Sequence, residues 1–158
     1  MQWITRERPK IDRVACPWLI DRFIDPCAEF LFVPADTVEQ RAAELDATPF
    51  DVEGVELSHD GPRCSFDAFL VKYDITDPAL LTIATIVRGA DTAQLGLAPQ
   101  SAGLLAISLG LSRLFSDDVE MLRHGFVVYD ALYAWCREAS METHDWSPQK
   151  RPPGGRAE

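Results

Sequence analysis

The sequence has few cysteines, few histidines and no long apolar run, and each shortage excludes a class of protein. Its four cysteines, Cys16, Cys27, Cys64 and Cys136, show no C-x-x-C spacing, so they predict neither a zinc ribbon nor a disulfide framework. The apolar stretch 103–111 has nine residues, about half of what a transmembrane helix requires. The polar N-terminus is not typical of a signal peptide. We therefore expect a cytoplasmic protein with reduced thiols that does not enter a membrane.

Basic residues are in the minority. The chain has 15 Lys and Arg against 25 Asp and Glu, a formal net charge of −10. Neutralising phosphates requires a surplus of Lys and Arg, so nucleic acid is not expected as a partner of this chain alone. A small anion would be repelled at long range and would need a local cationic pocket.

The first third of the chain predicts a βαβ unit. Residues 2–6 alternate as in a short strand, and the apolar run 29–33 is typical of a buried strand. Between them, residues 11–24 carry apolar side chains at helical spacing. Because a proline inside a helix removes a hydrogen bond, we expect regular helix only from Pro17 onwards. Two strands around one helix favour parallel pairing.

The remainder alternates short strands and helices. A helix capped by Asp36 or Thr37 is expected to run through Leu45, followed by short strands at 50–52 and 55–58 and a helix at 65–73. Three longer helices then begin near Asp77-Pro78, Pro99 and Asp117. The second of these is apolar nearly all round, which predicts a central, buried helix.

These elements predict an α/β (α+β) fold, in which a small βαβ-containing sheet packs on a C-terminal bundle of about three helices. Residues 1–139 would form a single domain. Residues 140–158 are polar and rich in Pro and Gly, which is typical of a disordered tail.

Two charged residues lie among apolar neighbours in the predicted helices. Asp130 has Phe126, Val127 and Tyr133 within one turn, so its carboxylate should be paired, protonated or bound to a ligand. Arg88 lies in a heavily apolar helix, three residues before Asp91. It could form a simple ion pair with Asp91, contact Asp130, or bind an anion.

Two histidines and one carboxylate form a possible metal site. His59, Asp91 and His124 are the ligand types of zinc or non-haem iron centres. They lie on three separate elements, so the spacing alone does not require a site, and packed or surface histidines are the alternative. Cys64, five residues after His59, could replace one ligand or be an ordinary buried thiol.

A basic group lies in the segment between the first strand and the first helix. Arg6, Arg8, Lys10 and Arg13 surround Asp12 there. Such residues can gather around an oxyanion at a helix N-terminus, or they can form a solvated face.

Five sequence blocks within residues 3–137 resemble the chromate-resistance ChrB-type domain family. The blocks are RPKIDRVACPWLIDRFIDP, GVELSHDGPRCSFDAFL, IVRGADT, GLLAISLGLSRLF and HGFVVYDALYAWCR. The resemblance implies an association with bacterial chromate resistance, and some longer members are chromate-responsive regulators with an additional N-terminal region. The candidate polar residues within these blocks are Asp12, Arg13, Cys16, His59, Cys64, Arg88, Asp91, His124 and Asp130.

Our first functional hypothesis is a chromate-resistance protein that binds a metal ion or an oxyanion in a polar pocket between the two halves. A divalent zinc or iron ion would be held by His59, Asp91 and His124. The binding residues for the anion would be Arg13 and Arg88, together with Asp12.

Two other hypotheses stay open. A metal- or thiol-dependent enzyme, redox or hydrolytic, would use Cys64 (or Cys16) as a thiolate near a cation, with Asp130 as a second candidate catalytic residue. A non-catalytic chromate sensor or partner-binding module would use its buried polar residues for structure alone. Homo-oligomerisation is compatible with all three.

Overall fold

Three parallel strands form a small sheet in the order β2-β1-β3. They are β1 (Gln2–Arg6), β2 (Glu29–Val33) and β3 (Thr48–Pro49). In this computed structural model, which describes residues 1–143, β1 pairs with β2 along its full length, from Gln2 opposite Glu29 to Arg6 opposite Val33. Because all strands are parallel, their carboxyl ends lie at one edge of the sheet.

Six α-helices lie in the described part of the chain. The first and the last of these helices each continue directly into a π-helical segment, Ile20–Ile24 and Trp135–Ala139 respectively. The helices are α1 (Asp12–Leu19), α2 (Val38–Leu45), α3 (Ser65–Lys72), α4 (Pro78–Asp91), α5 (Ser101–Leu114) and α6 (Asp118–Ala134).

The sheet separates two apolar clusters because successive strand residues point to opposite faces. Ile4 of β1 packs with Val38 and Ala42 of α2 in the smaller cluster. Trp3 belongs to the main core, which contains residues from every helix except α2. Its indole lies 5.8 Å from the Phe69 ring of α3, measured between ring centroids. The helical half therefore packs on the Trp3 face.

Close helix contacts depend on two glycines. A Cβ added at Gly89 of α4 would collide with the Ser101 side chain at the start of α5, and one at Gly125 of α6 would collide with Val14 of α1. Glycine at these positions lets α4 approach the start of α5 closely, and lets α6 approach α1.

The predicted fold class is confirmed. The parallel β1-α1-β2 unit has the expected strand bounds, and three helices follow residue 77. Asp77 caps α4 as expected, with its side chain accepting a 2.8 Å hydrogen bond from the Ala79 N–H.

The strands expected at 50–52 and 55–58 are absent from the structure. The third strand is Thr48–Pro49, and the chain then turns. Asp51 has a φ of +51° and Gly54 a φ of +85°, backbone conformations that end an extended strand. The turn region 51–58 instead carries side chains towards the edge of the sheet.

Two helix predictions were wrong in detail. Helix α1 begins at Asp12, so Pro17 lies inside it rather than at its start. Helix α5 is not buried all round, since Leu109 is 40% exposed and Leu114 76% exposed. It packs against the rest of the molecule on one side, with Leu104, Ser108 and two further serines as its buried residues.

The predicted disordered tail, 140–158, lies for the most part outside the described residues, as does His144. Within residues 1–143, no helix combines the length and the apolar character needed to cross a membrane.

Candidate metal centre

A polar cleft of about 350 Å³ opens at the carboxyl end of the sheet. Charged side chains and residues of α5 both line it. The lining residues are Arg6, Lys10, Ile11, Asp12, Arg13, Asp51, His59, Ala90, Asp91, Ala93, Leu105 and Leu109.

The topology of the sheet explains why these residues meet. Arg6 ends β1, and Asp51 follows two residues after β3 ends at Pro49. Carboxyl ends of neighbouring parallel strands form the usual ligand-binding edge of an α/β sheet. Asp12 begins α1 and Asp91 ends α4, so both helices present a terminus at the same edge.

His59 lies at the centre of three carboxylates. Its Nε2 is 3.1 Å from Asp91 Oδ2, 3.5 Å from Asp12 Oδ2 and 3.5 Å from Asp51 Oδ1. The histidine side chain is 43% exposed, whereas those of Asp12 and Asp51 are 2% and 5% exposed. One partly exposed imidazole therefore faces two buried carboxylates and a third nearby.

Asp12 is buried with half of its carboxylate unused. Its Oδ2 accepts a 2.6 Å hydrogen bond from the Ser65 N–H at the start of α3. Its Oδ1 has no hydrogen-bond partner among the described residues. Burial raises the pKa of Asp12, and the neighbouring Asp91 and Asp51 carboxylates raise it further, while the Ser65 N–H and the nearby Cys64 thiol partly oppose this rise. A buried oxygen of this kind calls for a proton or a cation.

Asp51, by contrast, has its charge well balanced. Its Oδ1 accepts from Ser65 Oγ at 2.7 Å, and its Oδ2 accepts from Arg6 at 2.8 Å and Arg13 at 3.3 Å. Two guanidinium groups therefore compensate this one carboxylate. Asp51 is the member of the cluster with the least need for a further cation.

Asp91 lies at the C-terminal end of α4. Its Oδ1 accepts a 3.4 Å hydrogen bond from the Asp12 N–H. Burial raises the pKa of Asp91, as does the Asp51 carboxylate, and His59 partly opposes this. The negative end of the α4 dipole lies in the same place and favours a cation there.

Asp12, His59 and Asp91 can hold a metal ion together. One ligand atom from each residue lies within 4.8 Å of the other two. One imidazole and two carboxylates suit zinc, iron(II) or manganese. Three protein ligands leave positions open for water or an anion, the arrangement of a reactive rather than a structural metal site.

The structure brings His59 and Asp91 together, as expected, but places His124 elsewhere. The exposed His124 ring stacks on Phe115 at 4.2 Å between centroids, with 11° between the ring planes. It is not part of the group of potential metal ligands. The third residue of that group is Asp12, which the sequence suggested as an anion contact.

Arg88 and Asp130 form separate pairs outside the cleft. Arg88 makes a two-pronged ion pair with Asp67, at 2.8 and 2.7 Å. Asp130 accepts hydrogen bonds from Arg22 at 3.0 Å and from the Trp18 indole N–H at 2.7 Å. The Asp130 side chain is 45% exposed, so the apolar stripe around it in the sequence does not bury it.

The candidate thiols are unsuited to thiolate chemistry in this structure. Cys16 and Cys64 are both fully buried. Burial raises the pKa of each thiol, and the neighbouring Asp12 carboxylate raises both further. A reactive cysteine needs exposure and a nearby cation, so the geometry favours the metal hypothesis over the thiol hypothesis.

The basic group divides into two parts. Arg6, Lys10 and Arg13 line the cleft. Arg8 points away, where its guanidinium donates to carbonyl oxygens at the end of α5, including that of Ser112 at 2.6 Å. Arg8 therefore holds the loop after β1 to the helical half, while its three neighbours face the site.

Sequence reasoning missed Asp51 as a site residue. It fell inside an expected strand, where its side chain would have counted as part of an alternating pattern. A carboxylate directly after a short strand in a parallel sheet is the signal that could have found it, because such positions lie at the ligand-binding edge.

The chain was compared with known proteins. The family model "ChrB, C-terminal domain" matches residues 3–136. Protein ChrB of Cupriavidus metallidurans is 36% identical over 152 residues, which cover 95% of this chain and 42% of that protein. The chain thus spans about two fifths of the length of this curated relative. No solved structure matches it. The chain belongs to the ChrB C-terminal domain family.

Proposed function

We propose that this chain is a chromate-resistance-associated domain that binds one divalent metal ion through Asp12, His59 and Asp91. The observation that carries the proposal is the unused, buried Oδ1 of Asp12, in a residue that lies within ligand distance of the other two. A divalent cation would supply the positive charge that Asp12 and Asp91 lack, since the nearby arginines already compensate Asp51.

The bound ion would in turn hold an anion. With three protein ligands, zinc or iron(II) keeps open positions and acts as a Lewis acid towards an oxygen ligand. Arg13 was the expected anion contact, but its guanidinium is engaged with Asp51. Lys10 also lines the cleft and forms no ion pair with a described residue, so it is the cation available to an anion. Arg88 has no part in this site, because it pairs with Asp67.

The test is metal analysis of purified, untagged protein together with titration of Zn²⁺ and Fe²⁺ into chelator-treated protein. We expect close to one ion per chain. His59→Ala should lose most of the metal, with affinity reduced at least about 100-fold, since one of three ligands is gone.

His124→Ala is the matched control, because this second histidine is exposed and stacked on Phe115, away from the cleft. It should bind metal like the wild type. Equal metal content in the His59→Ala and wild-type proteins, or no binding at micromolar Zn²⁺ or Fe²⁺, would contradict the proposal.

A further inference from the structure

The cleft is much larger than a bare oxyanion. Its volume is about 350 Å³, which falls in the range of pockets that bind organic ligands, about 300–1,000 Å³. A tetrahedral oxyanion fills roughly the space of three water molecules at about 30 Å³ each. Even with a metal ion bound, most of the cleft would stay empty around such an anion.

The two walls of the cleft differ in chemistry. One wall is apolar: Leu105 and Leu109 extend from α5, with Ala90 and Ala93 beside them. Leu109 is 40% exposed, so part of its side chain is available to a ligand. Apolar side chains at a site with a few fixed polar groups are typical of pockets for organic molecules.

The basic residues that line the cleft include one uncommitted cation. Arg6 and Arg13 both donate to Asp51. Lys10 lines the cleft and forms no ion pair with a described residue. It therefore remains available to a carboxylate bound in the cleft.

We propose that the ligand of this cleft is a small organic carboxylate with an apolar group, rather than a bare tetrahedral oxyanion. This rests on the proposed function and names the ligand class for the same site. The carboxylate would lie between the metal position and Lys10. The apolar group would pack on Leu105 and Leu109, where an inorganic oxyanion has nothing to contact.

The test compares the binding of 3-phenylpropionate, propionate and sulfate, measured by calorimetry on Zn²⁺-loaded and on metal-free protein. We expect 3-phenylpropionate to bind at least about tenfold more tightly than propionate, about 1.4 kcal/mol, because the phenyl group leaves water for the leucine wall. Sulfate should bind more weakly than 3-phenylpropionate. The ratio of the affinities for 3-phenylpropionate and propionate depends on the apolar residues of the cleft. It is measured on both the Zn²⁺-loaded and the metal-free protein.

Matched variants separate the two walls. Leu109→Ala should reduce the tenfold ratio to about threefold or less, while Leu114→Ala, on an exposed residue of the same helix outside the cleft, should leave it unchanged. Lys10→Gln should weaken both carboxylates by a similar factor. Arg113→Gln, outside the cleft, is its control.

A ratio near one in the wild-type protein, or a ratio that Leu109→Ala leaves unchanged, would overturn the inference. So would sulfate binding as tight as that of 3-phenylpropionate. These outcomes are distinct from a failure of the proposed function: a protein that binds no metal contradicts the metal site, but the carboxylate ratio in the metal-free protein still decides the ligand class.

Discussion

Two buried carboxylates accept hydrogen bonds from backbone N–H groups at the start of α3, but their surroundings are opposite: Asp67 belongs to α3 itself and Asp12 to the start of α1. Asp67 accepts hydrogen bonds from the Cys64 N–H at 3.0 Å and from both sides of the Arg88 guanidinium. Asp12 accepts one from the next N–H along the chain, that of Ser65, at 2.6 Å. Its other oxygen has no partner among the described residues, and its nearest charged neighbours include two more carboxylates.

The difference is the one expected between a structural carboxylate and the metal ligand that we propose for Asp12. Both residues are buried, so burial alone does not distinguish them. Asp67 has a cation and a helix N–H to satisfy both oxygens, which stabilises the fold. Asp12 forms no ion pair with an arginine or lysine among the described residues, and two more carboxylates lie nearby, which costs stability unless a cation balances them. The two residues therefore differ in the partners of their oxygens rather than in burial.

The largest effect is expected from removing the satisfied carboxylate. Asp67→Ala should lower the free energy of unfolding by about 2–4 kcal/mol. The partly buried Arg88 would lose its ion-pair partner, and the Cys64 N–H would lose its hydrogen-bond acceptor. Urea unfolding measures this directly. Asp60→Ala, at an exposed turn position, is the control. A loss below about 1 kcal/mol would mean that the Asp67 carboxylate does not stabilise the fold.

A smaller loss is expected at Asp130, whose partners are also satisfied but whose side chain is 45% exposed. Asp130→Ala should cost about 1–2 kcal/mol, since the buried Trp18 indole loses its acceptor while Arg22 can turn to water. Asp130→Asn keeps an acceptor for Trp18 and should cost less. Thermal unfolding of both variants checks the order, and equal losses would show that charge rather than hydrogen bonding matters there.

Most of the fold could be predicted because the apolar patterns and helix-start residues of the sequence agree with the elements that are buried in the structure. β1 and β2 are continuous apolar or alternating runs, and Asp77-Pro78 is a strong helix start. The strands predicted at 50–52 and 55–58 are wrong because Asp51 adopts a left-handed backbone conformation. Aspartate allows this conformation, but its presence in the sequence does not predict it. The burial of helix α5 was mispredicted because its apolar composition does not indicate how many of its faces pack against other helices.

The site could be predicted only in part, for a related reason. His59 and Asp91 could be chosen by residue type, and the structure brings them within 3.1 Å. His124 has the same chemistry in the sequence, but its helix turns it towards Phe115. Asp12 and Asp51 reach the cleft because two strand ends and one helix start meet at the same edge, which depends on tertiary structure rather than on spacing along the chain.

The smallest effect is expected at Asp12, and its sign should be opposite to that at Asp67. In metal-free protein, Asp12→Asn should raise the free energy of unfolding by about 1 kcal/mol near pH 8. The amide keeps an acceptor for the Ser65 N–H and removes one buried negative charge from beside Asp91 and Asp51. Asp67→Asn, the same substitution at the satisfied carboxylate, should destabilise.

The pH dependence of this gain follows from the raised pKa of Asp12, which burial causes first and the two neighbouring carboxylates increase. In the unfolded chain Asp12 releases its proton near pH 4; in the folded chain it does so at higher pH. Rising pH therefore favours the unfolded wild type over this interval, and the advantage of Asp12→Asn should grow from near zero below pH 4 towards its full value.

Adding Zn²⁺ should reverse the order of stability of the two proteins, because the ion stabilises the wild type and the variant has lost a ligand. Urea unfolding at pH 4, 6 and 8, with chelator and with Zn²⁺, measures both effects. If Asp12→Asn destabilises the metal-free protein as Asp67→Asn does, Asp12 is a structural carboxylate and the contrast between the two residues does not hold.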